Sequence, residues 1–197
     1  MKLILASASR SRARMLEAAG VPFEIVPAHV DEESVKQSLL AENAPARDVA
    51  DALAELKALR ISTKHPNALV LGADQVLVFG SELISKCESL DEAAALLRRL
   101  RGKSHELISA AVLAKDGAPI WRHVAKATLW MRNFSDEFLK DYLAGEGDGL
   151  LAGVGCYRLE GRGAQLFEKI DGDYFTILGL PLVPLLTALR EQGILEK

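Results

Sequence analysis

The chain has 197 residues, of which 49% are hydrophobic, and its formal net charge at pH 7 is -3. This length can bury a substantial core, as one domain or as two closely packed lobes. No apolar run approaches the roughly 18 residues that a membrane span requires, so we expect a soluble globular protein. The acidic balance and a pI near 5.9 argue against a protein that tracks a long nucleic-acid backbone.

The two cysteines, Cys87 and Cys156, have neither the spacing of a metal site nor that of a disulfide framework. Unpaired thiols are typical of proteins in reducing compartments. We therefore expect a cytoplasmic protein.

A strand over residues 1–6 opens the chain, and a short helix follows, with Ser9 or Ser11 as N-cap and Gly20 as its C-terminal stop. Cations are unfavourable near the positive end of a helix dipole. This helix nevertheless begins with three arginines, namely Arg10, Arg12 and Arg14. Two interpretations stay open: a solvated basic turn, or a phosphate site built from serine hydroxyls, free amides and arginines.

A second strand is predicted over residues 23–26, and a polar loop with three acidic residues follows it. Pro45 then starts a helix that extends to about Ser62. Its predicted apolar stripe consists of Val49, Ala52, Leu53, Leu56 and Leu59. Lys57 lies at the edge of this stripe, where it either extends to water or reaches into a cleft.

The strand-forming run at residues 68–80 is interrupted by one carboxylate, Asp74, and one amide, Gln75. Alternation places Asp74 on the same face as Gly72 and three valines. Burying an unpaired carboxylate costs several kcal/mol, so Asp74 must meet a cation, a metal, a donor-rich pocket or a cleft. Gly72 leaves room for a ligand or another backbone to approach closely. A structural hydrogen bond to a neighbouring loop is the alternative for Asp74.

The remaining elements are predicted from turn and capping signals. In chain order they are a strand at 83–86 that brings Lys86 near the Asp74 strand, a helix from Ser89 to Gly102, strands at 106–113 and 120–132 joined by Asp116-Gly117, a helix from Ser135, a glycine-dense loop at 145–163, a hairpin of residues 165–170 and 174–178, and a last helix from Pro181. This succession favours a mixed α/β sheet with a cleft.

Several segments occur in a fixed order along nearly the whole chain, over residues 3–189. They are Leu5-Ala6-Ser7-Ala8-Ser9-Arg10-Ser11-Arg12, Leu71-Gly72-Ala73-Asp74-Gln75, Gly102-Lys103-Ser104-His105, Gly155-Cys156-Tyr157-Arg158-Leu159-Glu160-Gly161 and Gly179-Leu180-Pro181. In order and spacing they resemble the motifs of the Maf family. The resemblance implies a twisted mixed β-sheet flanked by helices, Maf/ITPase-like, in a single domain over residues 1–197. It also implies two lobes with a central cleft and no separate linker.

The resemblance further implies a cytoplasmic nucleoside triphosphate pyrophosphatase that depends on a divalent metal cation, Mg²⁺ or Mn²⁺. Such an enzyme splits a nucleoside triphosphate into the monophosphate and pyrophosphate and removes non-canonical nucleotides. The family is linked to arrest of septum formation and is often dimeric. The expected partner is a small nucleotide, with neither a nucleic-acid polymer nor a membrane involved.

The resemblance also assigns the site residues. Asp74 is the general base, or the carboxylate that holds the metal, and Glu32 is the second metal carboxylate. The phosphates are bound by Ser9, Arg12, Lys57 and Lys86. Substrate specificity is assigned to Ser11, Gln75 and Glu160. His105 either belongs to the site or anchors its turn.

Two departures from the family pattern matter. Where the family usually has Ser-Pro-Arg-Arg, this chain has Ser9-Arg10-Ser11-Arg12, so one arginine is missing in register and phosphate affinity is affected. Gln75 together with Glu160 is similar to the branch that acts on 7-methyl-GTP. A carboxylate such as Glu160 can accept hydrogen bonds from the N1–H and N2 amine of guanine, and a methylated, positively charged guanine favours it further.

Two other functions remain open. The altered arginine motif is compatible with a non-catalytic nucleotide-binding regulator of cell division. The basic first turn suggests an RNA-end binding module, which the acidic net charge disfavours.

Overall fold

The computed structural model describes residues 1–196. The elements in chain order are β1 (Leu3–Leu5), α1 (Arg10–Ala18), β2 (Glu24–Ile25), α2 (Glu32–Ala41), α3 (Ala46–Ser62), β3 (Leu69–Phe79), β4 (Glu82–Ile84), α4 (Leu90–Leu100), β5 (Ser104–Lys115), β6 (Ala118–Met131), α5 (Asp136–Glu146), two 3-10 helices (Gly147–Ala152 and Arg162–Leu166), β7 (Phe167–Asp171), α6 (Tyr174–Ile177) and α7 (Leu182–Glu191).

The strands form a mixed sheet in the order β2-β1-β3-β5-β6-β7, with β4 paired to β3. Strand β1 is parallel to both β2 and β3, whereas β4 and β7 are antiparallel to β3 and β6. Helices alternate with these strands along the chain. The predicted fold class, a mixed β-sheet with flanking helices, is therefore confirmed. Within residues 1–196, no helix combines the length and the apolar character needed to span a membrane.

The chain divides into two compact units. The first unit comprises residues 1–75, 108–125 and the segment from Tyr174 onward, and the second comprises residues 76–107 and 126–173. The assignment of residues 1–197 to one domain with two lobes stays a prediction.

In the first unit, the two faces of β1 and β3 pack against different helices. Leu5 and Leu71 belong to a cluster that also contains Leu16 of α1 and Leu185 of α7. The alternate residues, such as Val70, belong to a cluster with Ile61 of α3 and others. Strands that are apolar on both faces, as these are, require such covering on both sides.

Helix α3 approaches β3 closely because position 72 has no side chain. A Cβ added at Gly72 would lie 2.6 Å from the backbone nitrogen of Ala58 and 2.9 Å from its Cβ. Real Cβ atoms do not make such contacts, so any residue larger than glycine would push the helix away from the strand. The prediction that Gly72 admits another backbone is confirmed.

The buried face of α3 is rotated from the predicted stripe. Val49 and Leu53 are buried as expected, but Leu56 and Leu59 are only partly buried. The rest of the buried face of α3 consists mainly of small residues and one lysine, namely Ala50, Ala54, Lys57 and Ala58, together with Ile61. Close approach at Gly72 selects small residues there, which a stripe drawn through the largest apolar side chains does not anticipate.

The predicted acidic loop is wrong, because its residues begin helix α2. The Asp31 side chain caps this helix by accepting a hydrogen bond from the backbone nitrogen of Ser34 at 3.0 Å. None of the residues of α2 is buried. Its apolar residues Val35 and Leu39, one turn apart, are only partly buried. Such a narrow stripe is a weak signal for an amphipathic helix.

The second predicted strand of the hairpin over residues 165–178 is also wrong. Strand β7 pairs with β6, with Asp171 opposite Thr128, and the following residues form the four-residue helix α6. The chain turns at Gly172, whose φ of +136° is unfavourable for other residues. In contrast, the predicted hairpin at Asp116-Gly117 is confirmed, since both residues have the positive φ angles that a two-residue turn requires.

Candidate active site

Asp74 lies in the middle of β3 and is paired with a lysine of α3. Lys57 Nζ is 2.6 Å from Asp74 Oδ1 and 3.0 Å from Glu32 Oε1. The side chains of Lys57 and Asp74 are 8% and 9% exposed, whereas that of Glu32 is 48% exposed. Of the four surroundings expected for Asp74, the structure shows a cation, because Lys57 reaches inward to it.

Local structure accounts for this meeting. Asp74 and Gly72 share one face of β3, and Gly72 brings α3 close to that face. Lys57 follows Leu53 by one helical turn, so its side chain projects from the buried side of α3. Glu32 is the first residue of α2, directly after the Asp31 cap, and it extends to the same ammonium group.

Arg12 is a second buried cation in the first unit. Its Nε donates a hydrogen bond to the carbonyl oxygen of Gly179 at 2.8 Å, and its NH1 donates to Ser7 Oγ at 3.0 Å. Burial lowers the pKa of Arg12, and the negative charges of Asp74 and Glu32 partly oppose this shift. Arg12 therefore lies within electrostatic range of both carboxylates.

The arginine-rich turn is only partly solvated. Ser9 is the N-cap of α1 and accepts a hydrogen bond from the backbone nitrogen of Arg12 at 3.4 Å, while Ser11 is half-buried in the first turn. Arg10 and Arg14 are exposed, in contrast to Arg12. The helix therefore directs one of its three arginines inward.

Gln75, the residue after Asp74, is held by the segment that contains α6. Its Nε2 lies 3.0 Å from each of three acceptors: Ser109 Oγ, the carbonyl oxygen of Thr176 and that of Ile177. Ser109 Oγ in turn donates to the Thr176 carbonyl at 2.8 Å. The predicted site residues that belong to the first unit are Ser9, Ser11, Arg12, Glu32, Lys57, Asp74 and Gln75. Among them, Lys57 contacts Asp74 and Glu32, and Arg12 lies within electrostatic range of both carboxylates.

Two other predicted site residues belong to the second unit. Lys86 is exposed and lies two residues beyond the end of β4. Glu160 is near Arg158, with 3.5 Å between Arg158 Nε and Glu160 Oε1, and Arg158 also lies 3.7 Å from Glu146. The roles of Lys86 and Glu160 stay predictions.

His105 anchors the glycine-rich segment of the second unit. The histidine is 2% exposed, and its Nε2 lies 2.6 Å from the hydroxyl of Tyr157. Burial lowers the pKa of His105 to about 4, so the ring is neutral at pH 7. Its ring also contacts Phe167 at a centroid distance of 6.2 Å. This geometry favours the anchoring role for His105.

Sequence reasoning missed Ser7 and Ser109, which position Arg12 and Gln75. Both serines are buried, with 7% and 0% exposure. Ser109 stands alone among apolar residues in the middle of β5. The signal that singled out Asp74, a polar residue within an apolar strand, was therefore present at Ser109 as well.

Asp74 and Glu32 are the carboxylates available for a metal in this part of the first unit. Within residues 1–196, no cluster of three or more His, Cys, Asp or Glu side chains has the arrangement of a metal site. Mg²⁺ is commonly held by one or two carboxylates together with substrate phosphates and water. The oxygen donors of Asp74 and Glu32 fit this kind of binding.

A family model described as Maf-like protein matches residues 2–192. Two relatives are named nucleoside triphosphate pyrophosphatase. One, from Granulibacter bethesdensis, is 53% identical over 99% of this chain and 99% of its own length, and the other, from Caulobacter vibrioides, is 56% identical over 97% and 96%. A protein of Brucella abortus biovar 1, named 7-methyl-GTP pyrophosphatase, is 46% identical over 100% of this chain and 98% of its own length.

Proposed function

Because the chain belongs to the Maf family, we propose that it hydrolyses a nucleoside triphosphate to the nucleoside monophosphate and pyrophosphate. The observation that carries this proposal is the buried Asp74, paired with Lys57 and within electrostatic range of Arg12. The names of the relatives from Granulibacter and Caulobacter support it.

Asp74 is the proposed general base. Lys57 holds its Oδ1, so the carboxylate has a fixed orientation on a rigid strand. The carboxylate takes a proton from the water that attacks the α-phosphorus, a role that contributes about 10²–10⁴-fold in rate in comparable sites. Packing fixes the Asp74 carboxylate, Lys57 and the backbone of α3. The catalytic groups are therefore in place before the substrate binds, as electrostatic preorganisation requires.

Arg12 is the proposed phosphate ligand in the first unit. Its Nε and NH1 donate to Gly179 and Ser7, so its guanidinium plane is fixed before any ligand arrives. A fixed guanidinium gives short, charge-assisted hydrogen bonds to phosphate oxygens. We assign supporting phosphate contacts to Ser9 and Lys57 in this unit, and to Lys86 in the second.

Local charge balance supports dependence on a divalent cation. The positive charges of Arg12 and Lys57 are matched by the negative charges of Asp74 and Glu32, so a triphosphate brings negative charge that these residues leave uncompensated. Asp74 and Glu32 would hold Mg²⁺ or Mn²⁺ together with phosphate oxygens. When bound there, a divalent ion would supply positive charge for the phosphates and Lewis acidity for a water molecule.

The pair Gln75 and Glu160 supports a guanine-type base, with 7-methyl-GTP as the proposed preferred substrate. Glu160 can accept hydrogen bonds from N–H groups of the base, and its carboxylate attracts a methylated, positively charged ring. The name of the Brucella relative agrees with this specificity. Removal of such modified nucleotides would be the physiological role.

The activity is tested by incubating the purified chain and Mg²⁺ with a panel of nucleoside triphosphates that includes 7-methyl-GTP. We expect pyrophosphate release, and we expect Asp74→Asn to lower kcat by at least about 100-fold with the fold retained. Glu55→Gln is the matched control, since Glu55 is a carboxylate of α3 that pairs with Arg122. Absence of pyrophosphate release from every triphosphate would refute the proposal. Full activity of Asp74→Asn would refute the role of this residue.

A second experiment tests the proposed base specificity. We expect Glu160→Gln to lower kcat/KM for 7-methyl-GTP and GTP more than for UTP or CTP, because only the guanine edge offers it two donors. Unchanged ratios of kcat/KM across the bases would show that Glu160 does not contact the base. EDTA should abolish turnover in the parent chain, and added Mg²⁺ or Mn²⁺ should restore it.

A cytoplasmic location is also proposed. Cys87 and Cys156, the cysteines of residues 1–196, are both free, and burial and a hydrogen bond to Cys87 raise the pKa of Cys156 to about 12. Such thiols persist in a reducing compartment. Fractionation of cells that express the chain tests the location, and sedimentation tests the expected homodimer. A role in septum formation stays a prediction.

A further inference from the structure

Lys57 is shared between the two carboxylates that we assign to a divalent ion. Its Nζ is 2.6 Å from Asp74 Oδ1 and 3.0 Å from Glu32 Oε1. The two acids belong to different elements, β3 and α2, and the lysine of α3 contacts both. One ammonium group therefore occupies one oxygen of each carboxylate.

The two contacts of Lys57 differ in their shielding from water. The side chains of Lys57 and Asp74 are 8% and 9% exposed, so their attraction is only weakly screened. The side chain of Glu32 is 48% exposed, and none of the residues of its helix is buried. Ion pairs with an exposed partner contribute little to stability. Of the two contacts, the one with Glu32 is therefore the one that a ligand can replace.

The positive charges of the chain oppose a divalent ion that arrives alone. Lys57 contacts both carboxylates, and Arg12 lies within electrostatic range of both. A divalent ion at the same carboxylates must either displace the ammonium group or remain close to its charge, and like charges repel strongly at short distance. We therefore expect the chain to bind Mg²⁺ or Mn²⁺ weakly in the absence of a nucleotide.

A triphosphate offers Lys57 a different partner. An ammonium group carries three hydrogens, and two carboxylates accept from it here. Phosphate oxygens accept charge-assisted hydrogen bonds, and the flexible four-carbon stem of a lysine lets its head group turn between acceptors. The contact with the buried Asp74 keeps the ammonium group in the site while it exchanges Glu32 for a phosphate.

We propose that Lys57 holds the place of the divalent ion on Glu32 and releases this carboxylate only when a triphosphate binds. This inference rests on the proposed function, from which it takes the ion and the nucleotide. It adds that the two bind cooperatively through Lys57, because the phosphates draw the ammonium group away from Glu32 and leave that carboxylate free for the ion. Since linkage is reciprocal, the ion raises the affinity for the nucleotide by the same factor.

The first test uses Mn²⁺ alone and needs no catalysis. Electron paramagnetic resonance of free Mn²⁺ gives the Kd of the parent chain and of Lys57→Met, in which the competing charge is absent. We expect Lys57→Met to bind Mn²⁺ at least about fivefold more tightly than the parent. Lys2→Met is the matched control, because Lys2 is an ion-paired lysine of the same unit, in contact with Glu24, and its loss should change the Kd by less than about twofold. An equal or higher Kd in Lys57→Met would overturn the proposal.

The second test measures the coupling between ion and nucleotide. The Mn²⁺ titrations are repeated with saturating α,β-methylene-GTP, whose carbon bridge resists cleavage between the α- and β-phosphates. We expect the analogue to raise the Mn²⁺ affinity of the parent and of Lys2→Met by a factor at least about fivefold larger than in Lys57→Met. Binding of Mn²⁺ by the free analogue is the same for all three proteins and cancels in this comparison. Equal factors would show that Lys57 does not yield Glu32 to the ion, and would overturn the proposal.

A measurement on the parent chain covers the case in which Lys57→Met does not fold. The NMR signal of the Lys57 ammonium nitrogen, assigned through the carbons of its side chain, should keep its position with Mg²⁺ alone and shift with Mg²⁺ and the analogue together. A signal that shifts with Mg²⁺ alone, or that stays in place with both, would overturn the proposal. If no triphosphate is hydrolysed, the proposed function fails, and the Mn²⁺ titration of Lys57→Met still decides whether Lys57 competes with the ion.

Discussion

Replacement of Lys57 by methionine tests the physical basis of the site. Methionine keeps the apolar stem of the lysine but removes the ammonium group, which leaves the Asp74 carboxylate 9% exposed without its partner at 2.6 Å. Breaking a buried ion pair on one side costs about 3–5 kcal/mol. Arg12 still places a positive charge within range of Asp74, so we expect the lower end, about 3 kcal/mol.

Urea denaturation of four proteins measures this cost: the parent, Lys57→Met, Asp74→Asn and the double variant. The double variant has no buried charge at either position, so it should recover most of the free energy of unfolding that Lys57→Met loses. Glu32→Gln removes the half-exposed partner of the same lysine and should cost less than about 1 kcal/mol. A cost of Lys57→Met below about 1 kcal/mol, or a double variant no more stable than Lys57→Met, would refute the reasoning.

Three further predictions concern stability. Gly72→Ala should lower the free energy of unfolding by about 3 kcal/mol because the added methyl meets the backbone of α3, whereas Gly149→Ala, with open space around it, should change it little in the same urea experiment. The folded pKa of His105, about 4, lies below its unfolded value, so the unfolded chain binds more protons between these two values. The stability that His105 contributes is therefore complete above about pH 6.5 and decreases by about 3 kcal/mol as the pH falls to about 4. The free energy of unfolding, plotted against pH over this range, should be flatter in His105→Gln than in the parent. An unchanged slope would contradict the assignment. Ser135→Ala should lower the free energy of unfolding by about 1 kcal/mol, since Ser135 Oγ caps α5 by accepting a hydrogen bond from the Phe138 nitrogen at 3.2 Å. Thermal unfolding measures this loss, and an unaltered Tm would argue against the cap.

The sequence predicted well those features that depend on neighbours along the chain. The strand around Asp74 follows from alternation, the start of α1 from the capping chemistry of its two candidate serines, of which the structure selects Ser9, and the tight hairpin from Asp116-Gly117. Each of these signals is short-range. The partner of Asp74 could not be predicted in this way, because the sequence is compatible with a Lys57 that extends to water and with one that reaches inward. Only the packing of α3 on Gly72 decides between the two.

The failures have a common physical origin. Helix α2 carries only a narrow apolar stripe, Val35 and Leu39, and buries neither residue, so its sequence gives a weak helix signal. Helix α6 is held by side chains distant in sequence: Gln75 and Ser109 bond to its carbonyl groups, and no local signal reveals such partners. Ser109 stands among apolar neighbours in β5 as Asp74 does in β3, but a hydroxyl costs less to bury than a carboxylate, so its signal in the sequence is weaker.

Helix α2 gives the two carboxylates that meet at Lys57 unequal anchoring. Asp74 belongs to a strand covered on both faces, whereas Glu32 is carried by a helix in which every side chain contacts solvent. Segments with little buried surface open at free energies far below that of global unfolding. Amide hydrogens of α2 should therefore exchange for deuterium long before those of β3. Under mild denaturant, the ion pair between Lys57 and Glu32 should break while the ion pair between Lys57 and Asp74 persists.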